Sequence, residues 1–258
     1  GGHDFSDPEL TPEDAREAFH AILGSGTAAF LPTIITSSPS LYRRNIPLLT
    51  KVMGRDEFEG RVLGLHLEGP FISSVPGAVG AHDPRHVREP DIAFLDELLD
   101  LAAGKITLLT VAAELVGVGD LVREACRRGV NVSVGHSLYW CDDLERLHAA
   151  GAKALTHLGN GLPNQLPRHV NPIWAGLADE RYAVMAIADG HHLPVPLLKV
   201  FVRAVGVDRL IVVSDAAPVA GLPPGEYQVL GNRAILEPTG RLYNPDKQCL
   251  VGSAATML

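Results

Sequence analysis

Two histidines and a glutamate mark the places in this 258-residue sequence where metal chemistry is expected. His136 and His157 each end a short apolar run and are followed at once by turn residues, and Glu68 ends another such run. Strands joined through helices are normally parallel, so their carboxyl ends lie at one edge of a sheet. Catalytic zinc takes three protein ligands and leaves one position open. The three side chains are therefore a candidate metal site.

Asp215 and His192 are the candidate catalytic groups around this site. Asp215 follows Leu-Ile-Val-Val-Ser, and a carboxylate there can accept a proton from metal-bound water and return it to a leaving group. His192 can stabilise negative charge on a substrate carbonyl, with the adjacent His191 as its rival. His66 shares a strand face with Glu68 by the two-residue period, and we interpret it as a hydrogen-bonded core group.

Each of these residues also has an ordinary structural explanation. A glutamate at a strand end is often a helix cap or an ion-pair partner, and a single histidine is more often structural than a ligand. Asp215 alone would be expected to accept a hydrogen bond from a loop amide. Three potential metal ligands at three strand ends nevertheless favour the metal site.

Seven strand-like runs, most of them followed by a helical segment, must position these residues. The runs are 28–36, 61–67, 105–112, 130–134, 154–156, 183–188 and 209–213. Such alternation predicts an α/β fold with a parallel sheet. Polar residues after many different strands favour a barrel over an open sheet. We predict a (β/α)8 TIM-type barrel as one partial catalytic domain over 1–258, lacking its first strand and last helix, with a β-hairpin insertion at 225–251.

Composition narrows the class of protein. Apolar residues make up 46% and aromatic residues 5%, which suits stacked helices and parallel strands. The net charge of −8 argues against a nucleic-acid partner. The sequence has no apolar run of membrane-spanning length and no signal peptide, and its three scattered cysteines predict reduced thiols in a cytoplasmic protein. It begins without Met and stops where a helix is expected to start, so we expect a fragment of a longer protein.

Several motifs, in their order along the chain, resemble those of the N-acetylglucosamine-6-phosphate deacetylases, a family of the metal-dependent amidohydrolase superfamily. They are Gly-Leu-His-Leu-Glu-Gly-Pro-Phe at 64–71, Gly135-His136-Ser137, Thr156-His157-Leu158, Ala188-Asp189-Gly190 with His192, Ser214-Asp215-Ala216, and Leu250-Val251-Gly252-Ser253. The resemblance covers nearly the whole chain.

The resemblance implies a role for each matching residue. Glu68, His136 and His157 would bind a divalent metal, zinc before iron, with one ion expected rather than two. Asp215 would act as general base and then acid, and His192 would polarise the acetamide carbonyl. The residues implied to contact substrate are Ala81, His82, Asn160, Gly161, Arg168, His192, Leu250, Val251 and Gly252. Arg168 stands where family members place a phosphate-binding arginine, often offered to a neighbouring subunit, which implies a homodimer.

The departures from the family pattern fall in the sugar and phosphate pocket. The chain has Gly159 before Asn160, Gly161-Leu162 after it, and an altered segment at 168–172. The chemistry is therefore better supported than the substrate. We predict hydrolysis of the N-acetyl group of N-acetylglucosamine 6-phosphate, a small-molecule partner, to glucosamine 6-phosphate and acetate. The alternatives are an amidohydrolase acting on a different N-acyl amine or cyclic amide, and a catalytically silent sugar-phosphate sensor.

Overall fold

The central feature of the fold is a sheet of seven parallel strands, seen in a computed structural model that describes residues 2–257. The strands are β1 (Thr33–Ile35), β2 (Leu65–Glu68), β3 (Ile106–Val111), β4 (Asn131–Val134), β5 (Ala154–Leu155), β6 (Ala183–Ile187) and β7 (Leu210–Val213). They pair in their order along the chain, from β1 through to β7. All seven predicted strands are present, and the prediction of a parallel α/β sheet is confirmed.

One helix precedes β1 and one lies between each pair of successive strands. They are α1 (Pro12–Gly24), α2 (Pro39–Met53), α3 (Ile92–Leu101), α4 (Val118–Arg127), α5 (Cys141–Ala150), α6 (Pro172–Ala178) and α7 (Val195–Val205). In α1, Thr11 and Asp14 form a capping box. The sequence did not predict α6, although Asn171 caps it and Pro172 stands at its first position. Among residues 2–257, the helices all fall short of the length and apolar character needed to cross a membrane.

The core lies where the helices pack on the sheet. Phe19 of α1 contacts Phe30 and Phe58 edge-to-face, with ring centroids 5.4 and 5.2 Å apart. Each fully buried aromatic side chain stabilises the fold by about 1.5–3 kcal/mol. The last strand is different, since Ile211 and Val212 of β7 are 44% and 48% exposed. Within residues 2–257, β1 and β7 each pair with only one strand of the sheet, so the sheet stays open between them.

A second, smaller sheet follows β7. It is antiparallel and consists of β8 (Gly225–Val229), β9 (Asn232–Leu236), β10 (Leu242–Asn244) and β11 (Cys249–Leu250). The sequence predicted a hairpin here, and the structure has four strands, because further turns follow the first one. Val229, Leu236 and Val251 are buried in a core of its own. Beyond β11 the chain returns to the large sheet, where Ser253 bridges Ala216 just past β7.

Candidate metal centre

Three predicted ligands converge in the structure. Glu68 is the last residue of β2, whereas His136 and His157 stand two residues beyond the ends of β4 and β5. Glu68 Oε1 lies 2.8 Å from His157 Nε2 and 3.2 Å from His136 Nε2, and the two Nε2 atoms are 3.1 Å apart. All three residues are buried. Atoms with lone pairs that face one another this closely require a proton or a cation among them. The donor set of one carboxylate and two imidazoles therefore fits a metal ion.

The backbone at the strand ends is strained to place these side chains. His136, His157 and Asp215 have φ angles of 48°, 29° and 47°, in the left-handed region that non-glycine residues avoid. Such a conformation costs roughly 1–2 kcal/mol per residue. Strained residues cluster at functional sites, where the surrounding structure holds them. Three of them around one cavity support the assignment of this edge as the functional site.

The ring of His136 is oriented by its surroundings. Its Nδ1 donates to the carbonyl oxygen of Ala78 at 2.8 Å, so its Nε2 presents a lone pair to Glu68 and His157. Metal-ligating histidines commonly have such a partner on the second ring nitrogen. A Cβ at Gly161 would lie 2.8 Å from Nδ1, and one at Gly80 would lie 3.1 Å from Cε1. Two glycines therefore make room for the ring.

His82 is a fourth buried group at the cluster and differs in its hydrogen bonding. Its Nε2 lies 3.2 Å from His136 Nε2 and 3.6 Å from Glu68 Oε2. Its Nδ1 accepts the backbone N–H of Thr36 at 3.3 Å. Because Nδ1 is an acceptor, the ring proton is on Nε2. Burial also lowers the pKa of His82, to about 3. His82 therefore offers a hydrogen-bond donor to the site, not a lone pair.

Glu68 and His157 lie within ion-pair distance, with 2.8 Å between Oε1 and Nε2. Burial by itself would raise the pKa of Glu68, but its close contacts with the imidazoles of His136 and His157 hold it well below its usual value. Burial would likewise lower the pKa of His157, but the hydrogen bond to Glu68 and the Glu68 charge raise it to about 9. A metal ion at this site must therefore displace the proton of His157.

Zinc binding is expected to release about one proton per ion at pH 6.5. His157, with its pKa near 9, is protonated at that pH in the metal-free site and must be neutral to bind metal. A zinc-bound water, with a pKa of about 7, contributes little release there. Titration calorimetry in buffers of different ionisation enthalpy measures the number of protons released per zinc ion. A value near zero would mean that His157 is already neutral, or does not bind the ion.

Asp215 and His192 line the same cavity as the cluster, a space of about 850 Å³. Burial raises the pKa of Asp215, and the nearby Glu68 carboxylate raises it further. His192 Nδ1 lies 2.7 Å from Asp189 Oδ2, and its side chain is 6% exposed. His191 also lines the cavity, but its Nε2 bonds the carbonyl of Thr239 at 3.0 Å. The sequence did not assign a role to Asp189. Its position three residues before His192 is the feature that could have predicted this contact.

The structure places the predicted substrate contacts in three groups. Seven of the residues line the cavity: Ala81, His82, Asn160, Gly161, His192, Leu250 and Gly252. Val251 lies between two of them, buried in the core of the small sheet. Arg168 is exposed on the loop before α6, outside the cavity lining, and its carbonyl accepts the indole N–H of Trp174 at 2.9 Å. Across residues 2–257, Arg241 is the single Arg or Lys in that lining. His66 is hydrogen-bonded through both ring nitrogens, as expected of a core group.

The sequence of this chain is similar to those of known proteins. No family model matches the chain. N-acetylglucosamine-6-phosphate deacetylase of Danio rerio is 36% identical over 247 residues, which cover 92% of this chain and 59% of that protein. N-acetylgalactosamine-6-phosphate deacetylase of Escherichia coli O157:H7 is 31% identical over 206 residues, covering 80% of this chain and 54% of that protein. The chain thus spans less than three fifths of the length of either relative.

A solved structure matches the whole fold. It is a mutant N-acetyl-D-glucosamine-6-phosphate deacetylase of Mycobacterium smegmatis in complex with N-acetyl-D-glucosamine-6-phosphate. It superposes with a TM-score of 0.89 at 27% identity, covering 100% of this chain and 65% of that one. The parallel sheet and the small sheet therefore occur together in a longer solved protein.

Proposed function

Because this chain is homologous over nine tenths of its length to N-acetylglucosamine-6-phosphate deacetylases, we propose that it carries the catalytic site of an amino-sugar-phosphate deacetylase. The relatives confirm the resemblance that the sequence motifs indicated. One observation carries the proposal: Glu68, His136 and His157 converge at the carboxyl ends of the parallel strands, in a cavity that Asp215 also lines. The reaction would be hydrolysis of the N-acetyl group to acetate and a free amine.

The seven-stranded sheet is proposed to be the greater part of a (β/α)8 barrel that forms one catalytic domain over 1–258. Three features support this: the sequential parallel order, the helix before every strand of the large sheet, and the outer edges of β1 and β7, which no strand within residues 2–257 pairs with. An eighth strand between those edges would cover the exposed Ile211 and Val212 of β7. The small sheet would be an insertion at 225–251.

The metal is proposed to be a single zinc ion, with iron as the alternative. Two imidazoles and a carboxylate suit either ion. When bound, such an ion polarises a carbonyl oxygen and lowers the pKa of a water ligand to about 7. Glu68, His136 and His157 would hold it, with His136 fixed by the carbonyl of Ala78.

The chain's own side chains would handle the protons. Asp215, whose pKa is raised by burial, would take a proton from the attacking water and pass it to the departing nitrogen. The sequence assigned polarisation of the carbonyl to His192. The hydrogen bond from the N–H of Thr36 to Nδ1 of His82 supports His82 for that role, because it leaves the ring proton on Nε2. His192, if it donates through Nδ1 to Asp189, has a lone pair on Nε2 that suits a substrate hydroxyl.

Recognition of the phosphate is the least supported part of the substrate assignment. Arg168 lies outside the cavity lining, so it would serve a phosphate only in a neighbouring subunit's site, as the predicted homodimer requires. Arg241, the single cation of the lining among residues 2–257, is bonded to Glu237 at 2.9 Å. This observation favours a second candidate, the deacetylation of an N-acyl amine without phosphate. The predicted cytoplasmic location stays a prediction.

Acetate release from three matched substrates tests the proposal: N-acetylglucosamine 6-phosphate, its galacto epimer and unphosphorylated N-acetylglucosamine. For the zinc-loaded protein we expect a kcat/KM about 10- to 100-fold higher with phosphate than without, because a charge-assisted hydrogen bond contributes roughly 1.5–3 kcal/mol. Equal values would favour the second candidate. Absence of acetate from all three substrates would overturn the deacetylase assignment.

A further inference from the structure

The small sheet contacts the loop that carries His82. The carbonyl oxygen of Ala81 accepts two hydrogen bonds from that sheet, one from Asn232 Nδ2 at 3.0 Å and one from Lys247 Nζ at 3.0 Å. The Lys247 ammonium also donates to the carbonyl of His82 at 3.3 Å. A carbonyl bonded by two donors has its peptide plane fixed in direction. The contact therefore orients the peptide that leads directly into His82.

The donors are themselves held by a buried network. Asn232 and Asn244 are 4% and 2% exposed, and Asn244 Nδ2 donates to Asn232 Oδ1 at 3.2 Å. Asn244 Oδ1 accepts the backbone N–H groups of Asp246 and Lys247 at 2.8 and 3.0 Å, which shapes the turn that presents Lys247. Buried amides are costly unless they are paired. Here the pairing leaves a donor of Asn232 directed out of the small sheet.

The ring of His82 is fixed from the other side. Its Nδ1 accepts the N–H of Thr36, which follows β1, and its own backbone N–H donates to the carbonyl of Val79 at 3.2 Å. The small sheet thus holds the main chain at Ala81, and the backbone N–H just past β1 holds the ring of His82. Together these contacts place Nε2 beside His136 and Glu68.

We propose that Asn232 and Lys247 are positioning residues, which hold His82 so that its Nε2–H points at the reacting carbonyl. This inference rests on the proposed deacetylase function and on the role given there to His82. The small sheet does not need these donors for its own ladder, because its strands pair with one another and bury a separate core. Its contribution to the reaction would pass through the peptide between Ala81 and His82.

A double-mutant cycle tests the proposal. Lys247→Met and Asn232→Asp each remove one donor to Ala81, and we expect kcat to fall on the order of tenfold to a hundredfold with KM little changed, since a small misplacement of a catalytic group has effects of that size. Lys247→Arg keeps a cationic donor and should restore most of the rate. In a His82→Ala background the same replacements should cause no further loss, because residues that act through one group are not additive.

Arg233→Met is the matched control. Arg233 neighbours Asn232 on the small sheet but pairs with exposed Glu226 at 2.7 Å, so kcat should stay within twofold. If the losses from Lys247→Met and His82→Ala simply multiply, the positioning role is wrong. The exposed Lys247 keeps the test valid if Asn232→Asp fails to fold.

A second measurement does not depend on activity. Imidazole nitrogen NMR of the metal-free protein should show His82 with its proton on Nε2, assigned by the signal lost in His82→Ala. Lys247→Met should shift this signal or mix the two tautomers, and Arg233→Met should not. An unchanged His82 signal in Lys247→Met overturns the inference. Absence of acetate release from the unsubstituted protein would instead overturn the deacetylase function, and the spectrum would then decide the positioning by itself.

Discussion

Asp215→Asn is expected to lower kcat by about 10²- to 10⁴-fold, the range attributed to general acid–base groups. The asparagine amide keeps the size of the side chain but can neither accept the proton of the attacking water nor return it to the nitrogen. Glu68, His136 and His157 are untouched, so zinc content should stay near one ion per chain. Acetate release and metal analysis on the same sample measure both quantities.

Asp208→Asn provides the control for this variant. Asp208 is exposed just before β7, at the opposite end of the strand from Asp215. The same chemical change there should leave kcat within about twofold. An Asp215→Asn protein with near-normal turnover would remove Asp215 from the mechanism, and one without zinc would make Asp215 part of the metal site.

Glu68→Ala is expected to abolish zinc binding in practice. The carboxylate is the group that both His136 and His157 contact, so its loss should reduce affinity by more than the roughly 10- to 100-fold typical of outer-shell partners. The metal-free fold should also lose about 3 kcal/mol, because removing one member of a buried ion pair leaves the other uncompensated. Zinc titration and urea unfolding with a chelator present measure the two effects.

Glu68→Leu combined with His157→Leu separates function from stability. Replacing both members of a buried pair by apolar groups is often neutral or stabilising. The double variant should therefore bind no zinc yet unfold at a urea concentration close to that of the unsubstituted protein. His66→Gln, on the same strand but outside the cluster, should keep zinc affinity within a few-fold. If Glu68→Ala retained full zinc affinity, the candidate metal site would be wrong.

Local pattern was sufficient to predict the large sheet and the cluster. Each strand is a short apolar run, and Glu68, His136 and His157 stand at or just after the ends of three such runs. Because the strands are parallel, their carboxyl ends share one edge, and the three side chains were expected at that edge. Tertiary packing trimmed the predicted strands: 28–36 became Thr33–Ile35, since Phe30 makes only an isolated bridge to Val62.

The state of His82 could not be predicted, because it depends on contacts between distant parts of the chain. The proton on its Nε2 follows from the N–H of Thr36, 46 residues earlier. The donors that fix its peptide come from the small sheet, whose alternating strands gave no indication of what they would contact. Family resemblance gave His82 only a general substrate contact. The short helix α6 was missed for a simpler reason. An Asn-Pro pair at the start of a helix of only seven residues is a weak signal.

The bonds from Asn232 and Lys247 to Ala81 span 151 and 166 positions of the chain. During synthesis from the amino end, the loop before His82 leaves the ribosome long before its anchors exist. The ligands of the cluster are all made by residue 157, whereas the last of these anchors arrives ninety residues later. Contacts so far apart in sequence form slowly. On the nascent chain, Glu68, His136 and His157 are therefore all present well before the two residues that hold the peptide of His82.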